Sequence, residues 1–280
     1  MLLNKLLQQL FAAPFDSIAG LYDEVFTNTP LGRRKRTLVH RYLSRILQKD
    51  WNVLELNYGT GEDALWMSKH VNHITATDVS EKMLKQGQEK LRRENAQNVE
   101  FAQMRIEDLW EGNRTTIPFT SKQDFDLIFS NFDGFNCLKD FSPFPSAVHS
   151  LLTPNGDLVV VLMSKFCLIE RLGWSFRGQF GRAFSRRRKS GINVHIGEGI
   201  SVTTYFHSTI TILQLCRMAG FRVKAIKAIG LLIPPTSMRD FYGRHIGIFQ
   251  RFEMIEDNLD SIYPLNRMGN HILIHLKRIN

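Results

Sequence analysis

A glycine-containing turn and a later acidic residue are the part of this sequence best suited to bind a nucleoside. Gly59 and Gly61 follow an apolar segment that ends at Leu56, and Asp78 ends the next apolar segment, about 20 residues on. Glycine lets a backbone approach a ligand where a Cβ would not fit, and a carboxylate at the second strand end accepts hydrogen bonds from both hydroxyls of a ribose. A lone aspartate there more often caps a helix, but its spacing behind the turn favours the nucleoside site.

Apolar segments that alternate with helical patterns predict the elements that position this turn. Strands are expected at 52–56, 73–77, 99–103, 125–130, 157–162, 221–228 and 272–277. Helices are expected at 62–71, from Ser80, and at 146–152, 209–218 and 247–259. Such alternation is typical of a mostly parallel sheet with helices on both faces. We therefore predict an α/β fold: one domain, 1–280, with a Rossmann-like, doubly wound, mostly parallel seven-stranded sheet.

Two segments fall outside this alternation. Residues 1–48 are predicted to form an N-terminal helical cover, with helices at 2–12 and 29–48, and residues 165–206 to form an inserted lid that contacts the substrate. The first helix is amphipathic, and packing on the domain is favoured over lying on a membrane surface. Polar residues between Asn4 and Gln9 interrupt the apolar run that a secretory signal needs.

Composition excludes several classes of protein. Hydrophobic residues make up 43% and charged residues 22% of the chain, which excludes a fully disordered protein. No apolar run approaches the roughly 18 residues of a membrane-spanning helix. Cys137, Cys167 and Cys216 are far apart, which argues against a disulfide framework and favours a reducing compartment. We expect a cytoplasmic protein and leave peripheral membrane association open.

The net charge of +9 is concentrated in the inserted segment. From Lys165 to Lys189 there are eight basic residues and one acid, Glu170, interleaved with apolar residues. A solvated basic face on a helical lid is the favoured interpretation, and contact with a membrane surface or anionic lipid is the next. An RNA-binding patch is the least favoured, because no recognisable RNA-binding module accompanies it.

The segment Val53–Asp63 resembles motif I of the class I S-adenosylmethionine-dependent methyltransferases, whose pattern is acidic-x-Gly-x-Gly-x-Gly. Glu55, Gly59 and Gly61 match this pattern, and Asn57 stands where the first glycine normally lies. Among residues other than glycine, Asn is the most tolerant of the left-handed backbone that such a turn can demand. The resemblance covers about residues 15–163, including similar segments at 15–16, 21–23, 105–109, 125–134 and 151–158.

The resemblance implies S-adenosyl-L-methionine as the cofactor and S-adenosyl-L-homocysteine as its product. Asp78 would bind the ribose, and Tyr22 would close over the cofactor and contact the substrate. The other cofactor-binding residues that it implies are Glu55, Asn57, Tyr58, Gly59, Gly61, Val79, Met83, Ile106, Glu107, Asp108, Asn131 and Phe132. Arg105 stands where the family commonly has an aspartate, so the adenine contacts are expected from Ile106 and the Glu107–Asp108 pair.

Other families with glycine-rich turns fit less well. A nicotinamide-binding dehydrogenase would show GxGxxG leading into the helix, and the third glycine is absent here. No Gly-Lys-Ser/Thr occurs, which argues against a phosphate-binding loop. The acids Glu62 and Asp63 at the helix start would repel a pyrophosphate, whereas a cofactor without phosphates fits.

The residues after the fourth strand bear on the methyl acceptor. Methyltransferases that act on nucleobase or glutamine amines carry Asn/Asp-Pro-Pro-aromatic there, and residues 131–134 lack both prolines. We therefore predict transfer of a methyl group, by in-line displacement, to a small, hydrophobic or lipid-like acceptor, with O-methylation favoured. An RNA methyltransferase using residues 165–189 is one alternative, and a non-catalytic relative in which Asn57 spoils the cofactor site is another.

Substrate-binding and catalytic residues are expected between the inserted segment and the C-terminus. Tyr205 and His207 follow the inserted strands, and with Asn136 and Tyr22 they form the predicted substrate site. His195, His207 and His245 are possible general bases, and His207 is favoured. No metal site is predicted, because Asp126 and Asp133 alone do not make a convincing ligand set.

Overall fold

A computed structural model of the chain describes residues 14–111, 125–197, 199–235 and 238–279. The predicted helix at 2–12 lies outside the described residues. The strands are β1 (Asn52–Leu56), β2 (His73–Asp78), β3 (Val99–Gln103), β4 (Phe125–Ser130), β5 (Leu152–Met163), β6 (Ile192–Gly197), β7 (Ile200–Thr204), β8 (Phe221–Ile229) and β9 (His271–Arg278). The helices are α1 (Pro30–Leu43), α2 (Glu62–Met67), α3 (Glu81–Arg93), α4 (Phe144–Leu151), α5 (Leu168–Phe176), α6 (Phe180–Ala183), α7 (Thr209–Met218), α8 (Arg239–Arg244) and α9 (Ile246–Leu259).

The predicted seven-stranded, mostly parallel sheet is confirmed. Its strand order is β3-β2-β1-β4-β5-β9-β8, with β1 to β5 parallel and β9 antiparallel to both β5 and β8. Apolar residues occupy both faces of the central strands, since helices cover the sheet on each side. Leu54 and Leu56 of β1 pack with α4 and α7, whereas Val53 packs with α1, α2 and α3.

Element boundaries differ from the predictions where turn residues lie inside regular structure. The strand predicted to begin at Asp157 begins at Leu152, because the segment containing Pro154 and Gly156 is accommodated by a register shift against β4. The predicted helices 29–48 and 62–71 end earlier, at Leu43 and Met67. The short helix α8 and a π-helical turn at Asp23–Thr27 were not predicted.

The inserted segment contains the short helices α5 and α6 and the antiparallel hairpin β6–β7. Buried Arg186 fixes this segment to the sheet: its guanidinium donates to both carboxylate oxygens of Glu170, to the carbonyl of Ser164 and to Asn270. Such a bidentate, charge-assisted pair gives the base of the insertion a fixed geometry. Its function as a lid stays a prediction.

The turns after β1, β2 and β4 lie at one edge of the sheet, because these strands are parallel. The beginning of β9 reaches the same edge, since His271 pairs with Met163 at the end of β5. In open α/β sheets, ligands bind outside the carboxyl ends of the strands where the strand order reverses, here between β1 and β4. The fold therefore places the predicted site residues and the start of β9 together.

Candidate functional site

The turn from β1 to α2 uses a left-handed backbone at three positions. The φ angles of Asn57, Gly59 and Gly61 are 57°, 59° and 83°. Asn57 is held by a hydrogen bond from its Nδ2 to Oγ of Ser130, 3.0 Å away. A Cβ on Gly134 would lie 1.8 Å from this Nδ2, so the loop after β4 needs glycine to make room for Asn57.

Tyr58 supports the turn from beneath. Its side chain is buried against Phe101, and its backbone N–H donates to the carbonyl of Thr77 at 2.9 Å. Cβ atoms on Gly61 or Gly87 would lie about 2 Å from the Tyr58 ring or hydroxyl. The structure thus gives the Tyr58 side chain a packing role under the predicted cofactor site.

Asp78 joins the two loops that would hold the nucleoside. One carboxylate oxygen accepts a hydrogen bond from the Gly59 N–H and the other from the Ser80 N–H, each at 2.8 Å. A carboxylate has about four acceptor positions, so two remain for ribose hydroxyls. Burial raises the pKa of Asp78 to about 6, even though the backbone hydrogen bonds favour the ionised form. Gly59 and Asp78, which were predicted to act together, are joined directly by the hydrogen bond from the Gly59 N–H, and we call the predicted cofactor site at their two loops the crevice.

Three buried oxygen atoms in or beside this turn have no hydrogen-bond partner among the described residues: Oε2 of Glu55, the hydroxyl of Tyr58 and Oδ1 of Asn131. Burial and the nearby Asp63 raise the pKa of Glu55 well above its usual range. Buried acceptors without a donor are unfavourable, and the ammonium group of a methionine moiety is a suitable donor. Gly59 also leaves open space, since a Cβ there would meet no atom within 4 Å. These features fit S-adenosylmethionine.

The predicted adenine-binding residues divide into two groups. Ile106 and Met83 are buried and Val79 is partly buried, as an apolar binding surface requires. Asp108, however, accepts hydrogen bonds from the guanidinium of Arg105 at 2.9 and 3.2 Å and from its backbone N–H. Glu107 is in no ion pair among the described residues, and burial raises its pKa. Of the predicted acidic pair, Glu107 is therefore the residue free to contact the adenine.

The entry segment, residues 14–28, is tied to the same loops. Asp16 accepts a hydrogen bond from the hydroxyl of Ser80, and Asp23 accepts one from Thr60, each at 2.5 Å. Asp23 also forms an ion pair with Lys90 at 2.7 Å. These contacts hold Tyr22 close to the crevice, as the resemblance implies.

A partly open cavity of about 70 Å³ lies between the entry segment, α1 and the loop after β4. The lining residues that matter for chemistry are Tyr22, Lys35, Arg36, Phe132, Asp133 and His271. Phe132 and Asp133 have positive φ angles and are followed by Gly134, which packs on Asn57. The cavity therefore adjoins the side of the crevice where Asn57 lies, which is the predicted methionine side. This position suits a methyl acceptor.

Two ionisable groups that line the cavity, Lys35 and His271, are removed from water, whereas the side chain of Asp133 is 46% exposed. Lys35 is only 4% exposed, and burial lowers its pKa to about 8 despite the nearby Asp133. His271 Nε2 lies 2.8 Å from Oδ1 of Asp133, and burial lowers the pKa of His271. Burial would by itself raise the pKa of Asp133, but the nearby His271 and Lys35 lower it. Burial raises the pKa of Tyr22. At neutral pH the cavity therefore holds a carboxylate, a neutral imidazole and a Lys35 ammonium that loses its proton as pH rises through about 8.

Asp63 anchors α1 over the site. Its carboxylate pairs with Arg36 at 2.5 Å, lies 2.6 Å from Nε2 of His40, and accepts a hydrogen bond from Asn131 at 2.9 Å. Burial would by itself raise the pKa of Asp63, but Arg36 and His40 lower it, so this carboxylate is ionised at neutral pH. This network fixes the helix that carries Lys35.

Three of the predicted substrate residues, Asn136, Tyr205 and His207, come together, but Tyr22 lines a different cavity. Asn136 is buried, and its amide is occupied by the backbones of Met163 and Tyr205. Tyr205 and His207 line a separate cavity of about 210 Å³, and His207 Nε2 lies 2.9 Å from the Leu138 carbonyl. Only Tyr22 of the predicted set lines the cavity beside the crevice. A catalytic role for His207 stays a prediction, and the geometry favours other residues.

His195 and His245 lie on exposed parts of the inserted hairpin and of the segment between α8 and α9. Sequence reasoning missed Lys35 and His271, because Lys35 stands in a run of basic residues typical of a surface and His271 has no neighbouring motif. The available signal for His271 was its place at the start of a predicted last strand.

Within the described ranges, no group of three or more His, Cys, Asp or Glu residues is arranged to hold a metal ion. No helix in those ranges is long and apolar enough to span a bilayer.

Comparison with known proteins agrees with this geometry. Residues 53–156 match the family model for the methyltransferase domain. The predicted family is thereby confirmed: the chain carries a methyltransferase domain with the fold of the class I S-adenosylmethionine-dependent methyltransferases.

Particular relatives include enzymes named for quinone biosynthesis. The chain is 30% identical over 152 residues to demethylmenaquinone methyltransferase of Listeria welshimeri, covering 52% of this chain and 59% of that protein. It is 29% identical over 168 residues to the ubiquinone/menaquinone biosynthesis C-methyltransferase UbiE of Klebsiella pneumoniae, covering 56% and 61%. The chain thus spans about three fifths of the length of the curated relatives that it matches.

Solved structures share the fold at low sequence identity. An S-adenosylmethionine-dependent methyltransferase from Listeria monocytogenes matches with a TM-score of 0.60 and 17% identity, over 88% of this chain and 99% of that one. Phosphoethanolamine N-methyltransferase 2 of Haemonchus contortus, in complex with phosphomonomethylethanolamine and S-adenosylhomocysteine, matches with a TM-score of 0.60 and 15% identity, over 95% and 58%.

The contact between Asn57 and Gly134 predicts a compensating pair of substitutions. Gly134→Ala should destabilise the protein by about 1–3 kcal/mol, the usual scale for overpacking, because its Cβ would overlap the Asn57 side chain. In an Asn57→Gly background the same substitution should cost less than about 1 kcal/mol, since the overlapping atoms are gone. Urea unfolding of the four proteins measures the coupling. An equal cost in both backgrounds would show that Asn57 does not occupy this space.

The pKa of Asp78 predicts how nucleoside binding depends on pH. Ribose hydroxyls donate to the ionised carboxylate, so the affinity for S-adenosylhomocysteine should rise as pH increases through about 6. A fall of about tenfold is expected from pH 7 to pH 5, because about one tenth of the carboxylate remains ionised. Titration calorimetry measures this change, with Asp78→Asn as a control that binds more weakly and loses the dependence. A parent affinity that is flat between pH 5 and 7 would contradict the assignment.

Proposed function

We propose that this chain is an S-adenosylmethionine-dependent methyltransferase acting on a small apolar acceptor that bears an acidic hydroxyl. The observation that carries the proposal is the cavity lined by Tyr22 and by the buried Lys35 and His271, next to the Gly59–Asp78 crevice. A site for a nucleoside thus adjoins a site with an ionisable amine. In-line displacement needs these two sites in contact and little other machinery.

The bound cofactor would supply an electrophilic methyl group on a sulfonium. Asp78 would hold the ribose, and the ammonium group would be received by Glu55 and Asn131, whose oxygen atoms lack donors. Ile106 and Glu107 would contact the adenine. Asn57 would remain on its hydrogen bond to Ser130, which keeps its amide turned toward the loop after β4.

Lys35 is the residue that we assign as general base. Lys35 lines the cavity, is almost fully buried, and forms no ion pair with a carboxylate among the described residues. A base with a pKa of about 8 is well matched to an acidic phenol or enol near neutral pH. Transfer of the hydroxyl proton to Lys35 leaves an oxyanion beside an ammonium. Attack of this oxyanion on a cationic donor neutralises charge, which a site removed from water favours.

Comparison with the quinone-biosynthesis enzymes supports a hydroxylated ring as the acceptor class. We favour transfer to oxygen, since it requires a single proton transfer, to Lys35. Methylation of a ring carbon would require a second proton transfer from that carbon.

The cavity of about 70 Å³ is smaller than the roughly 300–1,000 Å³ of ligand pockets, so binding a ring requires the segment that carries Tyr22 to move outward.

Substitution of Lys35 tests the assignment. Lys35→Met should lower kcat by about 10²–10⁴-fold, the contribution of a general base, while S-adenosylhomocysteine binding stays within twofold of the parent. Lys35→Arg keeps the charge but cannot lose its proton, so it should be equally impaired. The assay follows S-adenosylhomocysteine release with a panel of alkylated phenols and hydroquinones, and nuclear magnetic resonance locates the added methyl group. The exposed Lys82→Met is the control. Full activity in Lys35→Arg would show that Lys35 only binds the acceptor electrostatically.

A further inference from the structure

The inserted segment and the C-terminal helices present an apolar surface that methyl transfer does not require. We call it the basic–apolar surface and define it as residues 171–187 together with 241–255. Phe176 is 87% exposed and Phe180 is 60% exposed. Isolated exposed apolar residues are common, but rings this exposed within one cluster indicate an interaction site.

Helical spacing places the exposed residues in stripes. Leu172 and Phe176 are one turn apart on α5, and both are exposed. On α9, Ile248, Phe252 and Ile255 recur at intervals of four and three residues and are also exposed. Residues at these intervals lie on the same side of a helix. Each helix therefore turns an apolar stripe outward.

Direct contacts join the two stripes into one surface. On the C-terminal side, the rings of Phe252 and Phe249 are 6.1 Å apart, and those of Phe249 and Phe241 are 5.8 Å apart. Arg177 then connects the helices, since its guanidinium lies 6.0 Å from the Phe241 ring and 5.4 Å from the Trp174 ring. A chain of ring contacts therefore links α5 to α9 beneath the exposed residues, with Phe249 buried within it.

The charge on this surface is positive. Four arginines stack on its aromatic rings, and none of them forms an ion pair with a carboxylate in the described part of the chain: Arg171, Arg177, Arg182 and Arg187. Glu170, which adjoins the surface, is buried and already neutralised by Arg186. Within the two ranges Glu253 is the one acidic residue, against seven arginines. The arginines therefore keep their full charge available for an anionic partner.

We propose that the basic–apolar surface binds an anionic lipid bilayer, with Phe176 and Phe180 inserted at the level of the headgroups. Exposed aromatic rings flanked by cations are suited to this boundary, where apolar groups enter the acyl region and arginines meet phosphates. A purely electrostatic partner would not need the exposed phenylalanines. The proposal goes beyond methyl transfer and does not rest on it.

The surface is also coupled to the cavity that we assign to the acceptor. Arg186, within the basic–apolar surface, donates to the side chain and the carbonyl of Asn270, and the next residue, His271, lines that cavity. A bilayer bound to this surface would thus lie next to elements that hold the acceptor. An apolar acceptor dissolved in lipid would be presented to the enzyme there.

Vesicle sedimentation tests the proposal with the full chain. The parent should partition onto vesicles of 70% phosphatidylcholine and 30% phosphatidylglycerol and much less onto pure phosphatidylcholine. Phe176→Ser with Phe180→Ser should lower partitioning at least tenfold. Arg177→Gln with Arg182→Gln should lower it about 25-fold, since each arginine near an anionic surface contributes about fivefold. Met218→Ser is the matched control, because Met218 is 84% exposed but lies on α7, outside this surface.

Unchanged thermal unfolding of all variants, followed by circular dichroism, shows that they are folded and keeps this test independent of the proposed function. Absence of parent binding to the anionic vesicles would overturn the proposal. Equal loss in Met218→Ser would also overturn it, since the effect would not be specific to this surface. Tighter binding to a single-stranded RNA than to vesicles, lost with the arginines but not with the phenylalanines, would assign the surface to nucleic acid instead.

Discussion

The carboxylate of Asp78 is the interaction on which the candidate site depends. By accepting hydrogen bonds from Gly59 and Ser80, it fixes the turn after β1 against the end of β2. Both loops also hold the entry segment, through Asp23 and Asp16. One buried acid thus organises the crevice and keeps acceptor positions for a ribose. Its position in low dielectric makes its charge sensitive to pH and to whatever occupies the crevice.

Buried charged residues also determine the arrangement of the cavity that we assign to the methyl acceptor. Helix α1 brings Lys35 and Arg36 under the entry segment, and Asp63 neutralises only Arg36. Lys35 is left beside Asp133 without an ion pair in the described residues, so the unfavourable desolvation of its ammonium shifts its titration toward neutral pH. A segment that the sequence indicates to be a simple helical cover therefore supplies the lysine that we propose as the general base. Removing Asp63 would free Arg36 to compete for Asp133.

Local patterns sufficed to predict the sheet, the turn after β1 and the pairing of Gly59 with Asp78, because each rests on spacing within a short stretch of chain. They could not predict which polar residues form hydrogen bonds within the protein and are therefore not available to a ligand. Asn136 is used to fix two backbones, and Asp108 is used to hold Arg105. His271 could not be found because it reaches the site only through the antiparallel return of β9, a contact distant in sequence.

The central claim is that a sulfonium nucleoside lies over the turn after β1 with its sulfur toward the Lys35 cavity. The most direct measurement is a crystal structure of the protein with S-adenosylhomocysteine. This account predicts that both ribose hydroxyls hydrogen-bond Asp78, that the ammonium contacts Glu55 or Asn131, and that the sulfur faces Tyr22 and Lys35. A nucleoside bound away from Asp78, or a sulfur directed toward the His207 cavity, would contradict it.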